Sequence, residues 1–184
     1  NESADWSFFT CYNTEEAHSL LEVNASQNDK DYILAINWKK AAEHAAKGDF
    51  DWKACKYAHN VMNENTEQAT SEILNKVKVI DTRKVNDFLY LIPCPKSPHG
   101  VDVDPTGEYI VGNGKLSANL PVFSFKKIQE AIKNHKFDGK VEGINVIKYE
   151  DALHGEVQAP GLGSLHTEFD ADGNVLPGNT IRAV

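Results

Sequence analysis

The chain lacks most of the features that assign a protein at sight to a class. Its 184 residues begin at Asn1 rather than Met and carry no signal peptide, so we expect a processed chain or part of a longer one, with no compartment readable from a targeting segment. No apolar run approaches the roughly 20 residues that span a bilayer. With 19 basic against 27 acidic residues the net charge is -8, which argues against nucleic acid and anionic membranes as partners because both require clustered cations.

Cysteine is also scarce. Cys11, Cys55 and Cys94 are odd in number and widely spaced, without a C-x-x-C motif. This pattern excludes a disulfide framework and a zinc ribbon. We therefore expect three separate, small core or loop residues.

Two stretches, 99–110 and 166–175, resemble each other at a separation of 67 residues. Each opens with a histidine, alternates briefly, reads D-x-x-G and then continues into an apolar or β-branched run. The aspartate can cap a tight turn, and the glycine can adopt the positive φ that closes it. Short strands joined by such repeated turns indicate stacked antiparallel sheets, as in the blades of a β-propeller.

Local composition predicts further strands and two helices. The helices are expected at 38–47, ending at Gly48, and at 124–134, with Ile128 and Ile132 on one face. Residues 14–23 are a candidate third helix, residues 60–70 a loop or frayed helix, and residues 177–180 are expected to interrupt a strand. The additional strands are predicted at 6–12, 31–38, 77–81, 88–92, 109–112, 121–125 and 144–149.

Two histidines are the best candidates for chemistry. Before His99, Pro98 fixes its own φ and favours extended geometry at Ser97, while Gly100 allows a sharp turn after it. A glycine-rich loop likewise delivers His166 to the start of a strand. In a propeller such strand starts converge near the central channel, where imidazoles from different blades can meet around a metal cluster. The alternative is that both are loop histidines with backbone partners.

Longer motifs carry a family resemblance. The run S-P-H-G … D-P-T-G-E-Y … G-K-L-S at 97–117 is similar to the N-P-H-G … D-G-K-Y … G-K-L-S signature of nitrous-oxide reductases. The run G-L-G-S-L-H-T-E-F-D at 161–170 is similar to that family's G-L-G-P-L-H-T-x-F-D. Residues 6–15 and 24–38 also resemble the family, and 135–155 resembles an insertion of its more divergent branch. The resemblance extends to about Asn174, and residues 175–184 do not share it.

The resemblance implies a fold. Residues 1–184 would be a mainly β fragment with inserted helices, about three blades of a seven-bladed β-propeller catalytic domain. In the family the propeller channel holds a four-copper sulfide cluster, CuZ, on seven histidines, and His99 and His166 fall on two of these positions. A cupredoxin domain with a two-copper CuA centre follows in the family and is absent here. No catalytic residue beyond the cluster ligands is implied.

The resemblance also implies an activity, the two-electron reduction of N2O to N2 and water in denitrification. The parent enzyme would be a periplasmic copper oxidoreductase and a homodimer that receives electrons from a cytochrome c or a cupredoxin. Because two imidazoles cannot hold a four-copper cluster, we expect the fragment alone to be inactive.

A calcium site is implied as well. The family uses a Tyr, a Glu three residues later and an Asp further along, and Tyr12, Glu15 and Asp29 match this pattern. Two positions depart from it: Val23 stands where the family often has Met, and Ser97 replaces an Asn, which removes one candidate ligand oxygen. The alternative is that the acidic residues belong to an ordinary solvated helix start.

Two other functions remain open. One is a non-enzymatic, propeller-like binding module. The other is a small two-histidine zinc or iron hydrolase in which Asp102 or Glu168 serves as the base. The remaining histidines are expected to be surface or structural residues; they are His18, His44, His59, His135 and His154.

Overall fold

The computed structural model describes residues 1–11, 31–53, 77–159, 161–170 and 173–179. No helix in these ranges is long and apolar enough to cross a membrane. The helices are α1 (Trp38–Lys47), α2 (Phe125–Lys133) and the short α3 (Tyr149–Ala152). The strands are β1 (Trp6–Cys11), β2 (Tyr32–Asn37), β3 (Asp51–Lys53), β4 (Val77–Val79), β5 (Leu89–Pro93), β6 (Pro98–Val103), β7 (Tyr109–Gly114), β8 (Asn119–Ser124), β9 (Phe137–Val141), β10 (Ile144–Ile147), β11 (Leu153–Gln158), β12 (Ser164–Phe169) and β13 (Val175–Asn179).

The first sheet has the strand order β1-β2-β5-β10-β9. Adjacent strands in this sheet are antiparallel, except that β10 runs parallel to β5 with Asn145 opposite Tyr90. Strands β9 and β10 lie within the stretch predicted to be a branch-specific insertion. These two strands extend the first sheet, although the strand that precedes them in the chain, β8, belongs to the second sheet.

The second sheet is antiparallel, in the order β11-β8-β7-β6, and β12 pairs with β13 in a third, two-stranded sheet. Strand β6 contacts both β1 and β12, so the first strands of three successive sheets lie side by side. Strands β3 and β4 pair as a separate two-stranded antiparallel sheet. A mainly β fold compatible with part of a β-propeller, as predicted, is confirmed.

The two central strands of the second sheet, β7 and β8, are buried on both faces. Towards the first sheet, Ile110 and Phe123 are fully buried against Ile33 and Ile92. On the opposite face a smaller cluster of Val111, Leu120 and Ala159 packs against Phe169 of β12. This two-sided burial explains the apolar runs of β7 and β8, because a middle layer has no solvated face that would demand alternation.

Both predicted helices are present, with the expected ends. The Asn37 side chain accepts a hydrogen bond from the Lys40 amide at 2.9 Å and begins α1, and Gly48 ends it with a φ of 90°. Ser124 begins α2, which buries Ile128 against the core. Helix α3 was not predicted, because its four residues are too short for a helical period to show.

The two D-x-x-G turns are closed by the same hydrogen bond. The Gly107 amide donates to the Asp104 carbonyl at 2.9 Å, and the Gly173 amide donates to the Asp170 carbonyl at 3.0 Å. The φ values of the two glycines are 83° and 82°. One turn joins β6 to β7 and the other β12 to β13, so each joins the first two strands of its sheet. The predicted repeat is therefore present in the structure.

The carboxylate of Asp104 stabilises its turn by accepting hydrogen bonds that favour its charged form. Burial disfavours its charged form, but hydrogen bonds from Thr106 and from backbone amides outweigh this effect and lower the pKa of its carboxyl. The turn is thus strongest when this carboxylate is ionised.

The predicted interruption at 177–180 is wrong for residues 177–179. Strand β13 (Val175–Asn179) continues through Pro177, opposite Thr167, and Gly178, opposite His166. Within the described residues β13 pairs with β12 alone, and a strand with one free side tolerates the missing amide of a proline. The predicted elements at 14–23 and 60–70 lie outside the described residues.

The described cysteines are separate, as expected. Cys94 is buried in the main core, and burial raises the pKa of its thiol to about 12, whereas Cys11 is exposed at the end of β1. Cys55 lies outside the described residues. Neither described thiol forms a disulfide.

Candidate metal centre

The loop before β6 fixes the position of His99. The amide of Ser97 donates to the buried Asp31 carboxylate at 2.6 Å, and the Ser97 carbonyl accepts from the Lys115 amide at 3.1 Å. Ser97 consequently has a φ of 54°, so the extended geometry predicted for it is wrong. Hydrogen bonds to distant parts of the chain override the preference imposed by Pro98. The Thr10 hydroxyl of β1 donates to the His99 carbonyl at 3.0 Å.

Strands β6 and β12 share an irregularity at their starts. The pairing of β6 shifts register between Pro98 and Gly100, and that of β12 shifts between Ser164 and His166. Such bulges redirect side chains and are frequent beside active sites. Counted back from the two equivalent turns, His166 occupies the place of Gly100 rather than that of His99.

Gly100 is required for a reason other than the predicted sharp turn. A Cβ atom there would lie 2.2 Å from the Leu165 carbonyl oxygen and 2.6 Å from Nδ1 of His166. Gly100 therefore allows β12 to approach β6 closely, so that the His166 imidazole rests on the β6 backbone.

The structure brings the two predicted histidines together. The His99 and His166 ring centroids lie 5.2 Å apart, with the ring planes at 89°. Within the described part of the chain, Nδ1 of His99 is buried and has no hydrogen-bond partner. An unpaired buried nitrogen costs about 1–3 kcal/mol, which a bound metal would recover. The pair therefore fits a metal that both imidazoles contact.

A polar network supports His166 from β6 and β7. Oδ1 of Asp102 lies 3.3 Å from Nδ1 of His166, and Oδ2 accepts from the Thr167 amide at 2.7 Å and from Nδ2 of Asn113 at 3.0 Å. The hydroxyls of Ser164 and Thr167 both donate to Oδ1 of Asn113 at 2.8 Å. A carboxylate behind an imidazole is the usual outer partner of a metal-binding histidine.

Sequence reasoning missed Asn113 and Ser164. Both are fully buried, yet each lies in a glycine-containing motif whose sequence does not predict a hydrogen-bond network. Only the juxtaposition of β7 and β12 gives these side chains a function.

Two imidazoles alone would be an incomplete coordination sphere for a metal ion. Across the described ranges, no group of three or more His, Cys, Asp or Glu side chains is placed to hold a metal ion. Asp102 is already engaged as a hydrogen-bond acceptor, and Glu168 is exposed on β12. The site therefore gives no support to a self-contained two-histidine hydrolase.

His44 has a structural place between two carboxylates, 2.8 Å from each of Asp49 and Asp87. The hydrogen bond to Asp49 raises the pKa of His44 most, burial opposes it, and Asp87 adds a further increase. Lys40 pairs with Asp87 at 2.8 Å, and the Phe88 ring lies beside the imidazole. This cluster ties the end of α1 to the start of β5.

The other histidines are peripheral. His135 and His154 are exposed, beside Phe137 and Tyr109 respectively. His18 and His59 lie outside the described residues, as do the calcium candidates Tyr12, Glu15 and Asp29, together with Val23.

Sequence comparison identifies known proteins that this chain resembles. No protein-family model matches the chain. It is 28% identical over 169 residues to the nitrous-oxide reductase of Pseudomonas fluorescens, covering 90% of this chain and 21% of that protein. The corresponding enzyme of Stutzerimonas stutzeri is also 28% identical over 169 residues, covering 90% and 22%. That of Cupriavidus necator is 40% identical over 106 residues, covering 54% and 15%.

The chain spans about a fifth, or less, of the length of these curated relatives. The resemblance predicted from the motifs is confirmed: over nine tenths of its length, this chain is similar to a segment of nitrous-oxide reductases.

Proposed function

We propose that this chain contributes two copper-binding imidazoles, His99 and His166, to the propeller of a nitrous-oxide reductase. The observation that carries the proposal is their juxtaposition: two rings from neighbouring strands, 5.2 Å apart, one with a buried nitrogen that lacks a partner in the described structure. Imidazole is a suitable ligand for copper. The similarity to nitrous-oxide reductases supports copper among the metals that imidazole binds.

The reaction proposed for the whole protein is N2O + 2 e− + 2 H+ → N2 + H2O. A copper–sulfide cluster held by these residues would pass on the two electrons that it receives and would offer the coordination positions for N2O. The residues of this chain would hold and orient the two copper ligands. The buried Ser97 loop fixes the position of His99, and the Asp102 network supports His166. Their rigidity matters because a loosely held ligand shell weakens metal binding.

The rest of the proposal follows from the same resemblance. Electrons would arrive from a CuA centre in a cupredoxin domain, supplied by a cytochrome c or another cupredoxin. The whole protein would be a periplasmic homodimer with a calcium ion on Tyr12, Glu15 and Asp29. This calcium assignment stays a prediction from the sequence.

The test is made in the whole protein. We expect His99→Ala and His166→Ala each to lower copper content and the rate of N2O reduction with an artificial electron donor, because each change opens a coordination position. His154→Ala is the matched control: this histidine is exposed and, among the described rings, contacts only Tyr109, edge to face, so copper content and rate should stay at the wild-type level. Full copper content and turnover in either ligand variant would refute the assignment of that histidine.

The 184-residue chain by itself gives a second test. With two of the seven proposed ligands it has no closed cage for four copper ions and their sulfide, so we expect neither stoichiometric copper nor N2O reduction. Metal analysis after copper loading and an N2O consumption assay measure both. A chain that retained four copper ions and turned over would contradict the proposed division of ligands.

A further inference from the structure

We propose that β6, which carries His99, also sets the tautomer of His166 through Asp102 and its orientation through Gly100. The proton would reside on Nδ1 of His166, leaving Nε2 as the nitrogen available to a metal. The role in metal binding rests on the proposed function, whereas the hydrogen bonds that set the tautomer do not depend on which metal binds. Asp102 and Gly100 are positioning residues, because they act through His166.

The hydrogen-bond network fixes which way the Asn113 amide points. The Asp102 carboxylate can only accept, so the amide nitrogen faces it, and Oδ1 therefore faces the hydroxyls of Ser164 and Thr167, which donate to it at 2.8 Å each. The tautomer and the amide orientation follow from donor and acceptor accounting, since hydrogens are assigned from such networks. Asn113 is fully buried, which leaves its amide no solvent as an alternative partner.

The same comparison of donors and acceptors determines which ring nitrogen of His166 carries the proton. Oδ2 of Asp102 accepts from the Thr167 amide and from the Asn113 amide. Oδ1 faces Nδ1 of His166 at 3.3 Å, and an ionised carboxylate can only accept. Nδ1 of a neutral His166 must therefore carry the proton, and Nε2 keeps its lone pair.

Gly100 contributes the second constraint. Its missing side chain leaves the space in which Nδ1 and Cε1 of the His166 ring lie against the strand. A methyl group there would meet both the ring and the Leu165 carbonyl oxygen, and would separate β12 from β6. Gly155 is a matched control glycine in a strand, because a Cβ atom added there meets nothing within 4 Å.

The variant Asp102→Asn separates positioning from simple structural support. Its carbonyl oxygen can still accept from Thr167 and Asn113, which keeps the strands joined. Its amide group then points at Nδ1 of His166 and can only donate. The expected result is a reversed tautomer with the proton on Nε2, the nitrogen that a metal would need.

The experiment uses the metal-free, 15N-histidine-labelled full chain at about pH 8.5, where unperturbed histidine is neutral. Long-range 1H–15N correlation spectra report which ring nitrogen is protonated, and His166→Gln identifies the His166 signals by their loss. We expect Nδ1–H in the wild type and in the control Thr167→Val, which removes a hydroxyl from the network but keeps the amide bonded to Asp102. We expect Nε2–H in Asp102→Asn.

A wild-type His166 protonated on Nε2 would overturn the inference without any test variant having to fold. Retention of the wild-type tautomer in Asp102→Asn would overturn it as well. In the whole protein, Asp102→Asn and Gly100→Ala should lower copper affinity about tenfold or more, whereas the control Gly155→Ala should not. If the tautomers behave as expected while His166→Ala leaves copper binding intact, the positioning stands and the proposed function fails.

Discussion

Replacement of Asn113 by alanine tests how strongly the interstrand network stabilises the chain. The change removes the acceptor of two hydroxyl groups, those of Ser164 and Thr167, which are 0% and 3% exposed, and one donor to Asp102. Three hydrogen bonds at about 0.5–1.5 kcal/mol each amount to roughly 1.5–4.5 kcal/mol. Because both hydroxyls are buried, we expect a loss of about 3 kcal/mol in the free energy of unfolding.

Equilibrium urea denaturation measures this loss. For a denaturant slope of about 2 kcal/mol per molar, the midpoint should fall by about 1.5 M, with the slope unchanged. The matched control is Asn119→Ala, whose amide makes an exposed 3.3 Å hydrogen bond to Glu156 and whose loss should change stability by less than about 0.5 kcal/mol. A double-mutant cycle with Thr167→Val should give a coupling of about 1 kcal/mol.

The reasoning would be refuted by a loss below about 1 kcal/mol for Asn113→Ala, or by a coupling near zero with Thr167→Val. Either result would mean that the buried hydroxyls find other partners and that the network does not join β7 to β12. The support of His166 would then rest on Asp102 and Gly100 alone.

Four further outcomes are expected. The raised pKa of His44 contributes stability that is fully present below the unfolded pKa of about 6.5 and is lost as the pH rises through the folded pKa. The difference in unfolding free energy between wild type and His44→Gln should therefore shrink towards pH 9, as measured by urea titration. This difference should be less than about 1 kcal/mol because the carboxylates are solvated. Phe123→Ala should cost about 3–5 kcal/mol because the ring is fully buried, against less than about 0.5 kcal/mol for the exposed Phe9→Ala. Gly48→Ala should lower the melting temperature through a cost of about 1 kcal/mol, because its φ of 90° is unfavourable to a Cβ atom. Millimolar calcium should raise the melting temperature of the wild type and not of Glu15→Gln; equal melting curves would remove the calcium site from the proposal.

The strand pattern shows where composition suffices and where it does not. Strands β2, β5 and β7 were predicted because their Ile, Leu, Val and Tyr residues belong to the buried layers. Strand β9 was missed because four of its five residues are exposed and its sequence, FDGKV, has little strand propensity. It is ordered by pairing with β10, which is itself held parallel to β5 by residues more than fifty positions earlier.

The sequence by itself determined the local features of this protein: Gly48 at the end of α1, the extent of α2, the two D-x-x-G turns and the two histidines at the starts of strands. These features depend on hydrogen bonds and φ angles within a few residues, so the adjacent letters are enough to predict them. Only the tertiary structure decided the left-handed Ser97, held by Asp31 from 66 residues away, and the Asp102 carboxylate behind His166, 64 residues apart. Such contacts arise when the sheets pack, and no short-range pattern encodes which distant side chain will supply the missing acceptor.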